Sequence, residues 1–452
     1  MTVPVVPAEQ PFVPVITGGD VGAYSLAREF HEAYGVISAV VPTTLNRNLQ
    51  HSSILQAFPA GPMTAEQPVI DALVTVAREL NGADVGHSSR PLLLLASYDH
   101  LVRFAVRHRA TLEAHGYTVP YPDEDSLDRA ALKENFYALC ERLGVPYPNT
   151  AHYDAGSHTP EAARRFVAGL GERGVRLPLI LKAGDGGAWA DVRFEGRRKV
   201  HVIAGPDRPD GADGPDGAAG LDELEALIIK ACDAGYTGSL IVQEMIPGDD
   251  SQLGIATFFR DGAGTTRLVS YGEVIVEDHA PGLEGNARAV LASDHPVVAT
   301  QGAALLDELD WRGFAMFDIK VDPRTGVAQF LEMNPRLGRN HYYMTAAGAN
   351  PAQYLYEEYV GGAAGGAVAD TVTTTGPAVT TTLPMALVRR YASDSQRERI
   401  RQARRAGKVV RPFEYSADRD LRRTAYHRAT KLNSWRVFRQ YPPNPTQSHQ
   451  QG

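Results

Sequence analysis

The chain has 452 residues, 43% of them apolar and 22% charged. These ordinary globular values exclude a disordered tail protein, a fibrous repeat and a disulfide scaffold, and the length allows two or three domains with cores of their own. The net charge of −8 hides an asymmetry: Arg389 to Arg439 carry 16 Lys or Arg against 5 Asp or Glu, a surplus of 11 that leaves −19 elsewhere.

"FVPVITGG" reads as a buried strand ending in a glycine turn, "DVGAYSLAREFHEAYG" as a helix closed by Gly35, and "VISAVVP" as the next strand. This is a βαβ start. Gly18, Gly19 and Gly22 have the wrong spacing for GxGxxG, so a dinucleotide site is weakly supported. "PLLLLASYDH" is a further buried strand with Asp99 just past its end. That position suits either a ligand contact or the N-cap of the helix that follows. Residues 126 to 150 read as a helix ended by Gly144. Two strands follow around the glycine-rich "AGDGG", then the low-complexity stretch 205 to 220, expected to be a mobile insertion, and a helix near 221 to 235. "SLIVQEMIPGDDSQLGIATFFRDG" is a strand, a Pro-Gly turn and a second strand. "LVSYGEVIVEDH" is a strand, a helix lies near 297 to 309, and residues 361 to 382 are flexible or edge-like. The basic block closes the chain. It suits a nucleic-acid patch, a membrane-surface patch, a clamp for an anionic substrate or a solvated helical surface.

Cys140 and Cys232 form no CxxC or zinc pattern, which fits a reducing compartment and inert core thiols. No apolar run approaches the ~20 residues of a membrane span. The N-terminus lacks a basic leader and a small-residue cleavage site, so a cytoplasmic protein is expected. The scattered histidines show no ligand spacing.

The most informative stretch is "GFAMFDIKVDPRTGVAQFLEMNPRLGRN", residues 313 to 340. Asp322 to Gly326 is a turn cluster, so the segment reads as a β-hairpin. The odd positions of both arms are nearly all apolar and are expected on a core. The even face gathers Asp318, Lys320, Glu332 and Asn334. Two nearby carboxylates repel unless a cation sits between them, and a few hard oxygen ligands suit Mg²⁺. A solvated polar face is the alternative reading. Upstream, Lys182 ends "LILK" just before the glycines, an arrangement that holds phosphates. Lys133 lies on a helix before that strand pair, and Arg288 stands in "GNARAV" before the hairpin.

Taken in order, these features resemble the ATP-grasp superfamily, over roughly residues 12 to 350, with "LEMNPRLG" after "FDIK" the strongest piece. "FEGRRKVHVI", "NPRLGRNHYYMTAAGAN" and "YSADRDLRR" are similar to the D-aspartate ligase group of carboxylate–amine ligases. The resemblance implies an α/β chain, more fully an α+β ATP-grasp fold. A Rossmann-like pre-ATP-grasp domain (1–125) precedes two ATP-grasp subdomains (126–240 and 241–365) and a basic extension (366–452). It implies that Lys133, Lys182, Gly186 and Gly187 hold ATP phosphates. Glu244 and Ile246 would lie at an adenine hinge, with Asp250 (or Asp249) on the ribose. Asp318, Glu332 and Asn334 would hold Mg²⁺, with Mn²⁺ an alternative. Arg288 would stabilise the transferring phosphoryl group, and Arg336 would orient the acyl phosphate or substrate carboxylate. "AGDGGAWADV" lacks the serine-rich lid of many relatives.

The implied reaction is amide formation through an acyl phosphate. The implied partners are a small carboxylate such as D-aspartate and an amine acceptor, a lysine side chain of a peptidoglycan precursor. No nucleic-acid partner is expected, and a homodimer is one allowed assembly. Other ATP-grasp amino-acid or dipeptide ligases stay open, as does a basic-tail binding protein with an inactive nucleotide fold.

Overall fold

A computed structural model describes residues 4–443 apart from 44–45, 62–64, 83–89, 185–187, 190–191, 199, 206–216, 282, 284, 362–371 and 375. The chain forms two compact units: Met1–Asp128, Asp249–Asp318 and Met333–Gly452 make the first, and Arg129–Gly248 with Ile319–Glu332 make the second.

The first unit opens with a parallel sheet in the order β3-β2-β1-β4-β5, built from β1 (Val13–Thr17), β2 (Ser38–Val41), β3 (Leu55–Ala57), β4 (Leu92–Ala96) and β5 (Tyr117–Thr118). Its central strands β1 and β4 are apolar but for Thr17 because both faces are covered. Val13, Val15, Leu92 and Leu94 enter one core with the helix Gln67–Asn81, while Phe12, Ile16, Leu93 and Leu95 enter another with the helix Val21–Tyr34. The glycine turn after β1 serves close packing. Gly18 has φ +114°, and a Cβ there would stand 1.9 Å from Ser97 Oγ. A Cβ on Gly22 would stand 3.3 Å from the Arg339 backbone. Asp20 caps the helix, accepting from the Ala23 amide at 3.0 Å.

In the second unit the sheet order is β6-β9-β7-β8, all antiparallel: β6 (Thr150–Asp154), β7 (Leu179–Ala183), β8 (Val200–Ile203) and β9 (Ser239–Glu244). Leu179, Leu181, Leu240 and Val242 pack on the helices Pro160–Ala168 and Gly217–Asp233. By the period of two, Lys182 and Gln243 lie on the other face. The single helix expected over 126–150 is two, Glu124–Ala131 and Lys133–Leu143, with Leu132 extended between them (φ −72°, ψ 121°). The break places Lys133 in a helical first turn. The stretch expected as an insertion is helical from Gly217 onward, and its residues 206–216 lie outside those described. Burial pushes the Cys140 thiol up to about 12 and the Cys232 thiol up to about 11, so both remain thiols; Cys140 is buried as expected of a core residue, and Cys232 is only partly buried.

A larger sheet runs β14-β13-β10-β11-β12-β16-β17, with β15 against β11. Its strands are β10 (Leu253–Arg260), β11 (Thr266–Asp278), β12 (Asn286–Ser293), β13 (Gly313–Val321), β14 (Ala328–Asn334), β15 (Val372–Thr373), β16 (Val379–Thr381) and β17 (Val409–Val410). The hairpin β13–β14 forms as expected, but in the first half of its second arm the buried positions are even rather than odd. The Asp322 amide donates to the Val327 carbonyl at 2.9 Å, so an even residue stands opposite an odd one. Residues directly opposite share a face. The buried face of Phe317 and Ile319 therefore continues through Ala328 and Phe330, while Val327 is 41% exposed; beyond Leu331 the odd Met333 is buried, as expected.

The basic extension is partly built into the first unit. Its Arg423 is buried, 3.3 Å from Asp418 and 4.2 Å from the centre of the Tyr24 ring. Asp418 also accepts from Tyr24 Oη at 2.7 Å, Ser52 Oγ at 2.8 Å and the Ser53 amide at 2.6 Å. Removing one member of a buried pair leaves an uncompensated charge. Asp418→Ala is therefore expected to lower stability by about 3–5 kcal/mol in urea melts. A loss below ~1 kcal/mol, the range of exposed pairs, would mean that this cluster anchors nothing.

Candidate active site

In the second unit the site grows from Tyr137, one turn after Lys133 on the same helix face. Its hydroxyl donates to the Leu331 carbonyl at 2.7 Å and accepts from Gln243 Nε2 at 3.0 Å. Lys182 Nζ donates to the same hydroxyl at 3.3 Å and to Gln243 Oε1 at 3.1 Å. Burial pushes the phenol pKa far up, so Tyr137 stays protonated and keeps its role as donor. Next to Leu331, Glu332 pairs with Lys133 at 3.1 Å. Helix, strand and hairpin arm thus bring Lys133, Lys182 and Glu332 around one buried phenol. Two ammonium groups held this way suit an anionic ligand such as a phosphate chain. Tyr137 and Gln243 carry no motif. β9 is apolar at three consecutive positions, Leu240 to Val242, so its sequence pattern did not single out Gln243.

Glu244 ends β9, and its carboxylate accepts from Asn149 Nδ2 at 2.9 Å and from the Arg176 amide at 3.0 Å. Ile246 beyond it is buried. Gly186 and Gly187 lie outside the described residues.

In the first unit Asp318 accepts from Asn334 Nδ2 at 3.1 Å. That bond leaves the Asn334 carbonyl oxygen as a further hard donor, which fits Mg²⁺. Among the described residues no group of three or more His, Cys, Asp or Glu gathers as a metal cage. Asp249 caps a short turn, accepting from Ser251 at 2.9 Å (amide) and 2.6 Å (hydroxyl). Asp250 accepts from the Glu277 amide at 2.8 Å and pairs with His279 at 3.0 Å. That hydrogen bond to Asp250 raises the His279 pKa against the effect of burial.

Arg336 is nearly buried and grips Asp99 with Nη2 at 2.9 Å and Nε at 2.7 Å. Asp99 makes no side-chain cap to its helix, so the ion pair is the role the structure shows for it. Arg288 donates to Asp278 at 2.6 Å and to Thr382 Oγ1 at 2.9 Å. It lines a cavity of about 200 Å³ with Arg339, Arg411 and Lys431.

No family model matches the chain. The biotin carboxylase domain of Hydrogenobacter thermophilus 2-oxoglutarate carboxylase, solved with MgADP and bicarbonate, superposes with a TM-score of 0.54 at 15% identity, covering 78% of this chain and 71% of that one. N5-carboxyaminoimidazole ribonucleotide synthetase from Thermus thermophilus gives 0.51 at 19% identity, covering 81% and 82%. The likeness shows the fold, an α+β ATP-grasp fold. The chain is similar in particular to D-aspartate ligase from Enterococcus faecium, 27% identical over 351 residues and 77% of each chain.

Two outcomes test this geometry. Tyr137→Phe removes one hydrogen bond to Lys182, worth about 0.5–1.5 kcal/mol. It is expected to weaken MgATP binding by about three- to tenfold in equilibrium titrations, whereas unchanged affinity would separate Lys182 from the nucleotide. For His279, folded protein holds the proton more tightly than unfolded chain. The pair's stabilisation is thus complete below the ordinary pKa of 6.5 and is lost as pH rises through the raised value. Proton NMR should give a His279 midpoint above 6.5 that Asp250→Asn returns to or below it. A wild-type midpoint at the ordinary value would contradict the bond.

Proposed function

We propose that this protein is an ATP-dependent ligase that joins D-aspartate to the lysine side chain of a peptidoglycan precursor, in the cytoplasm. The observation that carries the ligase reading is the pair of lysines and Glu332 gathered around Tyr137, in a chain similar to D-aspartate ligase. The four-part division of the chain and a homodimeric assembly belong to the same reading.

Lys133 and Lys182 bind the ATP phosphates and neutralise charge as the γ-phosphoryl group moves. Glu244 and Ile246 hold adenine, and Asp250 the ribose. Asp318, Glu332 and Asn334 would hold Mg²⁺, which supplies Lewis-acid neutralisation of the phosphate oxygens when bound. The donor carboxylate is ionised at neutral pH and attacks the γ-phosphorus without a general base. The bond from phosphorus to the β–γ bridging oxygen breaks, and ADP leaves. Arg288 stabilises the transferring phosphoryl group, and Arg336 orients the acyl phosphate or the donor carboxylate. The acceptor ammonium gives up a proton to solvent, the neutral amine attacks the acyl carbon, the bond from that carbon to the phosphate oxygen breaks, and the nitrogen's extra proton leaves with the phosphate or to solvent, so that an amide remains.

ADP release from MgATP is expected to require D-aspartate and a lysine-bearing muramyl peptide together. Release with a different acid would keep the ligase and discard D-aspartate. No release with any acid and amine would overturn the ligase reading. Glu332→Gln, nearly unchanged in size, is expected to abolish Mg²⁺-dependent turnover with the melting temperature retained, and near-normal rates would remove Glu332 from the metal set.

A further inference from the structure

The basic extension forms much of the wall of the 200 Å³ cavity in the first unit. Arg411 and Lys431 come from the extension, and Arg288 and Arg339 from the segments on either side of the hairpin. The acids on the wall are Asp278, already gripped by Arg288 at 2.6 Å, and Glu414. Glu414 pairs with Lys431 and lies 3.6 Å from Arg411, so two cations share one carboxylate. Burial pushes both Arg411 and Lys431 below their ordinary values, and the charge of Arg411 pushes Lys431 down further. Arg411 Nε and His427 Nε2 are buried with no hydrogen-bond partner. His427 is only 8% exposed and lines the same cavity. The wall is fixed in place: Arg28 donates to the Arg411 and Pro412 carbonyls at 2.9 and 2.8 Å, and the His427 ring stacks on Phe413 at 4.7 Å. A preorganised cavity in which Arg411 and Lys431 share one carboxylate, with an unanswered donor at Arg411 Nε, calls for an anion. Its volume is below the ~300–1,000 Å³ of drug-sized sites, which excludes a whole nucleotide-linked peptide. The carboxylate of Glu414 gives an ammonium group a partner.

We propose that this cavity binds the carboxylate donor, a small amino dicarboxylate, and that Arg411, Lys431 and Glu414 of the basic extension select it. This rests on the ligase reading above and names the side chains that read the donor's charges. Lys431 and Arg411 take the carboxylate that does not react, and Glu414 takes the ammonium group.

Calorimetric titration of the full-length, nucleotide-free protein with D-aspartate, D-glutamate, succinate and D-alanine tests it, with MgADP affinity as the check on folding. D-Aspartate is expected to bind at least tenfold more tightly than D-alanine, and Lys431→Met to remove that advantage. Glu414→Gln is expected to weaken D-aspartate but not succinate, which has no ammonium group. A purely structural role would not produce that change in selectivity. The proposal is overturned if D-alanine binds as tightly as D-aspartate, if both variants keep wild-type affinities, or if no member of the panel binds. Should D-glutamate bind through Lys431 in place of D-aspartate, the dicarboxylate site stands and the D-aspartate reading falls. Should D-aspartate-dependent turnover persist while the variants change nothing, only the present proposal falls.

Discussion

The second unit depends on one buried phenol. Tyr137 ties a helix, a strand and the returning arm of the hairpin through a hydroxyl that donates to Leu331 and accepts from Lys182 and Gln243. A lysine ammonium loses hydration when it is drawn toward a sheet face, and fixed polar partners must replace it. Gln243 and Tyr137 do this for Lys182, and Glu332 does it for Lys133. Because these partners sit on regular elements, the ammonium groups are positioned before any ligand arrives. Preorganisation of this kind is what phosphoryl transfer asks of a protein.

The first unit relies on a different constraint, the burial of Asp418 and Arg423 against the face of Tyr24. That cluster holds a strongly basic segment against a parallel sheet domain, and part of its charge then faces a cavity in place of solvent. The extension is anchored rather than loose, and while most of its basic side chains are solvated, Arg411 and Lys431 line the cavity. The same anchoring that stabilises it fixes Arg411 and Phe413, and through Phe413 the ring of His427.

The sequence carried the order of the elements because each depends on local pattern: continuous apolar runs for the parallel sheet, short apolar runs for β7 and β9, and a turn cluster at Asp322–Gly326. It carried the two lysines and the hairpin for the same reason. It misplaced the start of β14's apolar face, because that depends on which residues close the turn and the bond from Asp322 to Val327 shifts the parity there by one, whereas Met333 and the meeting of Asp318 with Asn334 fell as expected. It passed over Tyr137, because an aromatic at helical spacing looks like any core residue until its hydroxyl's partners are known. It could not show Asp418 meeting Tyr24 and Ser52, a contact that closes over 394 and 366 positions and has no local signature. Asp99 stood undecided between cap and ligand contact, and neither reading anticipated its pairing with Arg336, which comes from 237 positions away.

The central claim is chemical: a carboxylate is activated by ATP as an acyl phosphate. It is tested most directly by running the reaction with D-aspartate labelled with ¹⁸O in its carboxylates and measuring the released phosphate by mass spectrometry. The account predicts that each phosphate carries one labelled oxygen, because the carboxylate oxygen that attacks the γ-phosphorus leaves with it. Amide product accompanied by unlabelled phosphate would contradict it.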